Sequence, residues 1–157
     1  MTVSGLFVDY GQAAAEREQA AVTSLTGDLG IEVQRLEFGG AGPFGFGELV
    51  GRNAFLVFAA LFASRARSSV IALGLHAGTP YYDCSPAFVE LMNRAVAEHT
   101  DSNVQVVAPF IAWTKRDVYD YFLKSGLDVT KTYSCEKGMY PSCGSCASCL
   151  DRKALQC

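Results

Sequence analysis

Val70-Ile71-Ala72-Leu73-Gly74-Leu75 is a continuous apolar run of one strand's length. A run with no polar alternate positions is buried on both faces, which is the condition of a strand in a parallel sheet covered by helices. The flanking segments supply those helices. Before it, residues 53–66 are apolar or small nearly all round the helical wheel, which predicts a helix sandwiched in the core rather than half exposed. After it, Ser85 and Pro86 form a cap and first-turn pair, and Phe88, Leu91, Met92, Ala95 and Val96 recur at helical spacing as one buried face.

The same alternation continues outward in both directions. Residues 6–10 read as a short buried strand, residues 13–29 as an alanine-rich helix stopped by Gly30, and residues 31–38 as a second strand. Toward the C-terminus, residues 104–108 form another strand. Thr114 and Asp117 cap a helix that turns Val118, Tyr121 and Phe122 inward and ends at Gly126. Strands alternating with helices predict an α/β fold with a doubly wound, mostly parallel sheet, its site at the carboxyl edge of the strands. Residues 39–47 carry too many glycines for regular structure and read as a mobile surface loop, either a flexible lid or a disordered segment. The expected organisation is an α/β domain over residues 1–129 and a distinct tail over 130–157.

A chain of 157 residues suits one ordinary domain, and with half its residues hydrophobic and under a fifth charged it is not a disordered chain. The net charge of −3 gives no basic footprint for a phosphate backbone, which argues against nucleic acid as a direct partner. No charged leader precedes an apolar stretch, and the longest apolar run, residues 54–63, is well short of the roughly 20 residues that a bilayer demands. The expectation is a cytoplasmic protein with no membrane partner.

Six cysteines are present, and four of them crowd into residues 135–149. Without an export signal that crowding favours reduced thiolates over disulfides. In Cys135-x7-Cys143-x2-Cys146-x2-Cys149, the turn formers Gly138, Pro141 and Gly144 let four sulfurs converge on one Zn²⁺ at about 2.3 Å each. The alternatives are unrelated thiols, two disulfides, or an iron–sulfur cluster, which takes the same ligands. Four thiolates leave zinc no open position for water, so the metal is structural and folds a tail poor in apolar residues. Cys84 and Cys157 fall outside the spacing.

Four motifs occur in order: Phe7-Val8-Asp9-Tyr10-Gly11-Gln12; Gly51-Arg52-Asn53; Gly74-Leu75-His76-Ala77-Gly78 with Tyr82-Asp83-Cys84-Ser85-Pro86-Ala87-Phe88; and Thr132-Tyr133-Ser134-Cys135. Together they resemble the 7-cyano-7-deazaguanine synthase family of the queuosine pathway, within the PP-loop ATPase (adenine nucleotide alpha hydrolase-like) superfamily. The resemblance implies an ATP-dependent ligase, with ATP and Mg²⁺ as further cofactors. It would adenylate the carboxylate of 7-carboxy-7-deazaguanine, admit ammonia to form an amide, then activate and dehydrate that amide to a nitrile. It also implies one zinc and a homodimer. The family's Ser-Gly-Gly-x-Asp-Ser phosphate loop has no counterpart here, so the sequence starts where the family's second strand is expected. Residues 39–47 lack the preceding motif and the capped helix that would replace it. The expectation is therefore a partner chain that supplies the loop, or a shortened form. Alternatives are a deazaguanine-binding module without ATP chemistry and a related ligase that modifies a partner with an activated deazaguanine.

Against that resemblance, Arg52 and Asn53 at the start of the apolar helix suit a clamp on a phosphate or carboxylate, or else a helix cap with a surface charge. His76 lies just past the central strand, where α/β ligands bind, although a lone histidine is often structural. Asp83 can accept hydrogen bonds from the N1–H and exocyclic amine of a deazaguanine while Tyr82 stacks on the base; the alternative is a turn residue before Ser85-Pro86. Asp9, Tyr10 and Gln12 match the family's adenosine side, with Gly74 also placed on the cofactor; a plain strand-to-helix connection is the alternative for the first three. Lys115 can reach a ligand phosphate or remain solvated.

Overall fold

The strand–helix alternation is present in the computed structural model, which describes residues 2–40, 44–45, 47–65 and 70–157. The chain divides into two units, one of Met1–Leu49 with Phe122–Cys157 and the other of Val50–Tyr121.

In the first unit, β1 (Ser4–Asp9) and β2 (Glu32–Glu37) are joined by α1 (Ala15–Leu29). Parallel neighbours need a crossover of this kind. The strands pair in parallel from Ser4 opposite Glu32 to Asp9 opposite Glu37. Gly30 ends α1 in the left-handed region, φ 63°, where its N–H reaches the carbonyl of Gly27. Of the expected lid, residues 41–43 and 46 lie outside the described residues. Phe44 forms an isolated bridge to Gln12 and sets its ring edge-on to Tyr10 at 5.7 Å.

The second unit runs α2 (Arg52–Ser64), β3 (Val70–Ala72), α3 (Pro86–Thr100), β4 (Gln105–Val107) and the start of α4 (Lys115–Lys124). Strands β3 and β4 are parallel, with Val70 opposite Gln105. Its core joins Val57, Ile71, Leu75, Phe88, Met92, Val96, Val104 and Val106. Ser85 caps α3 by accepting from the Phe88 N–H at 3.2 Å. Thr114 and Asp117 cap α4 reciprocally: the Thr114 N–H and hydroxyl donate to Asp117 Oδ2, and the Asp117 N–H donates back. Hydrogen bonds from Thr114 hold the Asp117 carboxyl below its ordinary range. The cap is therefore complete above that range and is lost as pH falls through the lowered value.

Every named strand pair among the described residues is parallel, but the pairs form two separate two-stranded sheets rather than one doubly wound sheet. Asn93 on α3 acts as a one-residue strand: its Oδ1 accepts from the Val106 N–H at 2.8 Å, and its Nδ2 donates to the Val106 carbonyl at 2.7 Å and to the Val89 carbonyl at 3.1 Å. This closes the outer edge of β4, so the sheet can extend only past β3. Strand β3 is also shorter than its apolar run. The Leu73 N–H still bonds Val107 O at 2.9 Å, but β4 ends there, just before Pro109.

Three burial expectations are corrected. Helix α2 buries Asn53, Val57 and Ala59 but leaves Phe62 82% exposed, with Phe58 one turn before it also at the surface. An all-apolar wheel has no polar stripe to mark which side meets solvent. Ala66, the expected last residue of this helix, lies outside the described residues. Leu91 sits at the solvent edge of the α3 stripe. Tyr121 is 54% exposed and packs edge-on to Trp113 at 5.6 Å instead of entering the core. No described helix is long and apolar enough to cross a membrane.

Replacing Asn93 by Ala strands the Val106 N–H and carbonyl behind α3. Unpaired buried groups cost about 1–3 kcal/mol each, so Asn93→Ala is expected to lower unfolding stability by roughly 2–4 kcal/mol in urea titration, with an unchanged m-value.

Candidate functional site

The tail builds its site from two turns and a helix. Gly138 and Gly144 adopt φ of 66° and 68°, which reverses the chain after Cys135 and again after Cys143. Cys146 then precedes α5 (Ala147–Leu155), which carries Cys149 in its first turn. The four sulfurs all lie within 4.8 Å of one another, and Cys143 Sγ is 3.8 Å from Cys149 Sγ. A tetrahedron with arms of about 2.3 Å has edges of about 3.8 Å, so the donor set fits one zinc ion. All six cysteines are free thiols, and the separations are too long for disulfides, whose sulfurs stand about 2.05 Å apart.

Local N–H groups ready two of these sulfurs for ionisation. The Ser145 N–H and hydroxyl and the Cys146 N–H all donate to Cys143 Sγ at 3.3–3.6 Å, which pulls its pKa down to about 5, Ser145 contributing most. The Cys143 N–H, donating to Cys135 Sγ at 3.4 Å, holds that thiol below its ordinary value. Burial pushes Cys149 the other way, to about 12. A buried thiol of this kind ionises only against a cation, so the site is half prepared and completed by metal.

Helix α5 and its supports carry no signal that the sequence reading used. Glu136 caps the helix from a separate loop, accepting from the Ser148 N–H at 3.0 Å and its hydroxyl at 2.8 Å. Arg152 donates to the Thr132 hydroxyl at 2.7 Å, which ties α5 back to the Thr132-Tyr133-Ser134 lead-in. Tyr133, pushed up to about 12 by burial, donates its hydroxyl to the Met139 carbonyl at 2.8 Å. The capping spacing Glu136-x11-Ser148 is non-local and so invisible to a search for local caps.

In the same unit, the loop after β1 gathers Asp9, Tyr10 and Gln12, and it spends most of their polar atoms internally. Asp9 accepts from the Gly11 N–H at 3.1 Å and from Arg35 at 2.9 Å. The Gln12 amide accepts from the Tyr10 N–H at 2.9 Å and donates to Val8 O at 3.3 Å and Glu18 at 3.0 Å. These side chains shape the loop.

In the other unit, one buried amide joins three of the expected ligand-binding residues. Asn53 is 3% exposed; its Nδ2 donates to the Asp83 carbonyl at 3.0 Å and lies 3.8 Å from Cys84 Sγ, while its Oδ1 accepts from Arg52 Nε at 3.3 Å. Arg52 and the Tyr82–Cys84 turn are thereby held at the start of α2. The Tyr82 ring stays largely exposed, edge-on to Phe88 at 6.1 Å. Gly74 and His76 follow β3, and Lys115 opens α4 beyond β4. His76 Nδ1 donates to the Ala77 carbonyl at 2.6 Å, which leaves Nε2 as an acceptor in the neutral ring. The Ala77 N–H bonds the Trp113 carbonyl at 2.8 Å, so the loops that follow the two strands touch.

The family model for queuosine biosynthesis protein QueC matches residues 48–156, well over half of the chain. The chain belongs to the QueC family. It is 35% identical over 106 residues to the 7-cyano-7-deazaguanine synthase of Aquifex aeolicus, an alignment covering 63% of this chain and 49% of that one. It is 39% identical over 100 residues to the synthase of Desulfotalea psychrophila (62% and 46%) and 34% identical over 106 residues to that of Halobacterium salinarum (64% and 46%). The chain spans about half the length of the relatives it matches. Of the four motifs, the last three fall inside the QueC match, and residues 7–12 precede it.

Cys135→Ser is expected to drop bound zinc well below one per chain and to lower the melting temperature, whereas Cys157→Ser, outside the cluster, leaves both unchanged. Elemental analysis beside a thermal melt checks the pair.

Proposed function

We propose that this chain is the base-binding, zinc-bearing part of a 7-cyano-7-deazaguanine synthase, acting in the cytoplasm on 7-carboxy-7-deazaguanine. The observation that carries the reading is the QueC match together with the cluster of Arg52, Asn53 and Asp83 inside it. In this reading the Asp83 carboxylate accepts from the paired N–H donors of the deazaguanine, Tyr82 offers its exposed ring to the base, and Arg52 faces the substrate carboxylate. His76 and Lys115 lie beyond the strands, where phosphates of ATP–Mg²⁺ would be met. The reaction would activate the carboxylate as an acyl adenylate with release of pyrophosphate. Ammonia would then displace AMP to leave an amide; a second ATP would adenylate the amide oxygen with release of pyrophosphate, and that oxygen would leave in AMP as the nitrogen loses its two protons, giving the nitrile. Zinc, held by Cys135, Cys143, Cys146 and Cys149, supplies folding energy and takes no part in these steps.

The Ser-Gly-Gly-x-Asp-Ser loop that would grip pyrophosphate is absent from the sequence, so a further polypeptide segment or a partner chain would supply it. Two features support such an addition: two-stranded sheets are marginal alone, and the β3–β4 pair can extend only past β3. The exposed Phe58 and Phe62 on α2 support a homodimer.

Isothermal titration with 7-carboxy-7-deazaguanine and with ATP tests the reading. The base is expected to bind the wild-type chain, and Asp83→Asn to weaken it about tenfold or more, since tenfold is only about 1.4 kcal/mol. ATP is expected to bind once a loop-bearing partner is present. Base binding with no ATP binding in any combination would favour a binding module without ATP chemistry, and no base binding at all would sink the assignment.

A further inference from the structure

The loop between the first two metal ligands, residues 136–142, is where the tail touches the start of α1. Gly138, in the left-handed region, lies so close to α1 that a Cβ there would stand 2.0 Å from the Ala13 carbonyl oxygen and 2.8 Å from its carbon. Two residues on, the Tyr140 ring carries the Arg17 guanidinium at 5.0 Å from its centroid, within the range of a cation–π contact. At the far end of α1, Lys131 pairs with Asp28 at 2.5 Å. The tail therefore grips both ends of this helix.

The gripped end needs support. The residue preceding α1, Ala14, offers no side-chain cap, so the first N–H groups of the helix lack the partner that a Ser or Asp would provide. Ala13 follows Gln12, whose carbonyl accepts from the Ala15 N–H at 3.0 Å and whose side chain holds Tyr10, Val8 and Glu18. The position of the Ala13 peptide thus fixes the Asp9-Tyr10-Gly11-Gln12 loop.

We propose that the four-cysteine centre is a metal-dependent clasp on the β1–α1 junction, with Gly138 as its contact point. Cys135 and Cys143 bracket the loop that carries Gly138 and Tyr140, so a metal bound to both closes that loop in the shape that meets α1. Bonds within the tail also shape this loop: the Gly138 N–H donates to Cys135 O at 3.1 Å, the Tyr133 hydroxyl to Met139 O at 2.8 Å and the Cys143 N–H to Cys135 Sγ at 3.4 Å. Metal loading and order in residues 9–18 are then two readings of one equilibrium, and each must strengthen the other by the same factor. The clasp stands whether or not the chain carries out ATP chemistry.

Amide hydrogen exchange on the full chain, with and without zinc, tests the proposal. Removing zinc from the wild type is expected to speed exchange about tenfold or more at residues 10–18 as well as in the tail, and to leave residues 86–107 unchanged. Gly138→Asn keeps a residue that tolerates positive φ but adds the Cβ. It should retain one zinc per chain while speeding exchange at residues 10–18 to a similar extent. Arg17→Ala, at the surface, should weaken zinc several-fold in a chelator competition. Zinc-depleted wild type with residues 10–18 still protected would overturn the clasp. So would Gly138→Asn with full zinc and wild-type exchange there. If Gly138→Asn does not fold, unchanged zinc affinity in Arg17→Ala overturns it on its own.

Discussion

Four sulfur atoms drawn within 4.8 Å of one another are the constraint on which the first unit depends. Among the described residues, the buried cluster of the tail consists of Cys135, Cys146 and Cys149, with Tyr133 and Cys143 packed against them and no aliphatic side chain. A hydrophobic core of that size cannot repay the backbone entropy of ordering the tail, at about 1–2 kcal/mol per residue, a deficit that ligand–metal bonds at the four sulfurs would offset. Burial makes Cys149 resist ionisation, while Cys143, held by hydrogen bonds from Ser145, does not. The tail, α1 and the β1 loop are linked through that centre by Gly138, Tyr140 and Lys131.

The second unit follows different physics. Its core is aliphatic and aromatic, and two buried or half-buried asparagine amides do the specific work. Asn93 substitutes for a missing strand at β4, and Asn53 ties the start of α2 to the turn that bears Asp83. Each satisfies backbone groups that would otherwise be buried unpaired, and each fixes a direction: the first decides on which side the sheet can grow, the second where Arg52 and Asp83 stand. Both residues lie inside the QueC match.

Element type was legible in the sequence because local signals and burial agreed. Gly30 stops α1, Ser85-Pro86 starts α3, Thr114 with Asp117 starts α4, and each is visible within four residues. The cysteine cluster was equally legible, since its spacing is its own geometry. What escaped was set by distant partners. Helix α5 is capped by Glu136, twelve residues before Ser148; the Asn93 pairing reaches thirteen residues to Val106; and the Gly138 contact joins the tail to Ala13. The exposed face of α2 escaped for the opposite reason, because Phe58 and Phe62 look like core to any periodicity argument. The hydrogen bonds of Asp9 and Gln12 to Gly11, Arg35, Val8 and Glu18 were likewise not legible from residue type.

With four sulfurs within 4.8 Å of one another, a metal ion held by Cys135, Cys143, Cys146 and Cys149 would have a closed tetrahedral site with no other ligand. Titrating the metal-free chain with Co²⁺ and following its visible and near-ultraviolet absorption tests this most directly. Strong tetrahedral ligand-field bands with intense sulfur-to-cobalt charge transfer are expected, saturating at one equivalent and displaced by Zn²⁺. Weak bands of an octahedral, oxygen-ligated ion, or no saturation at one equivalent, would contradict it.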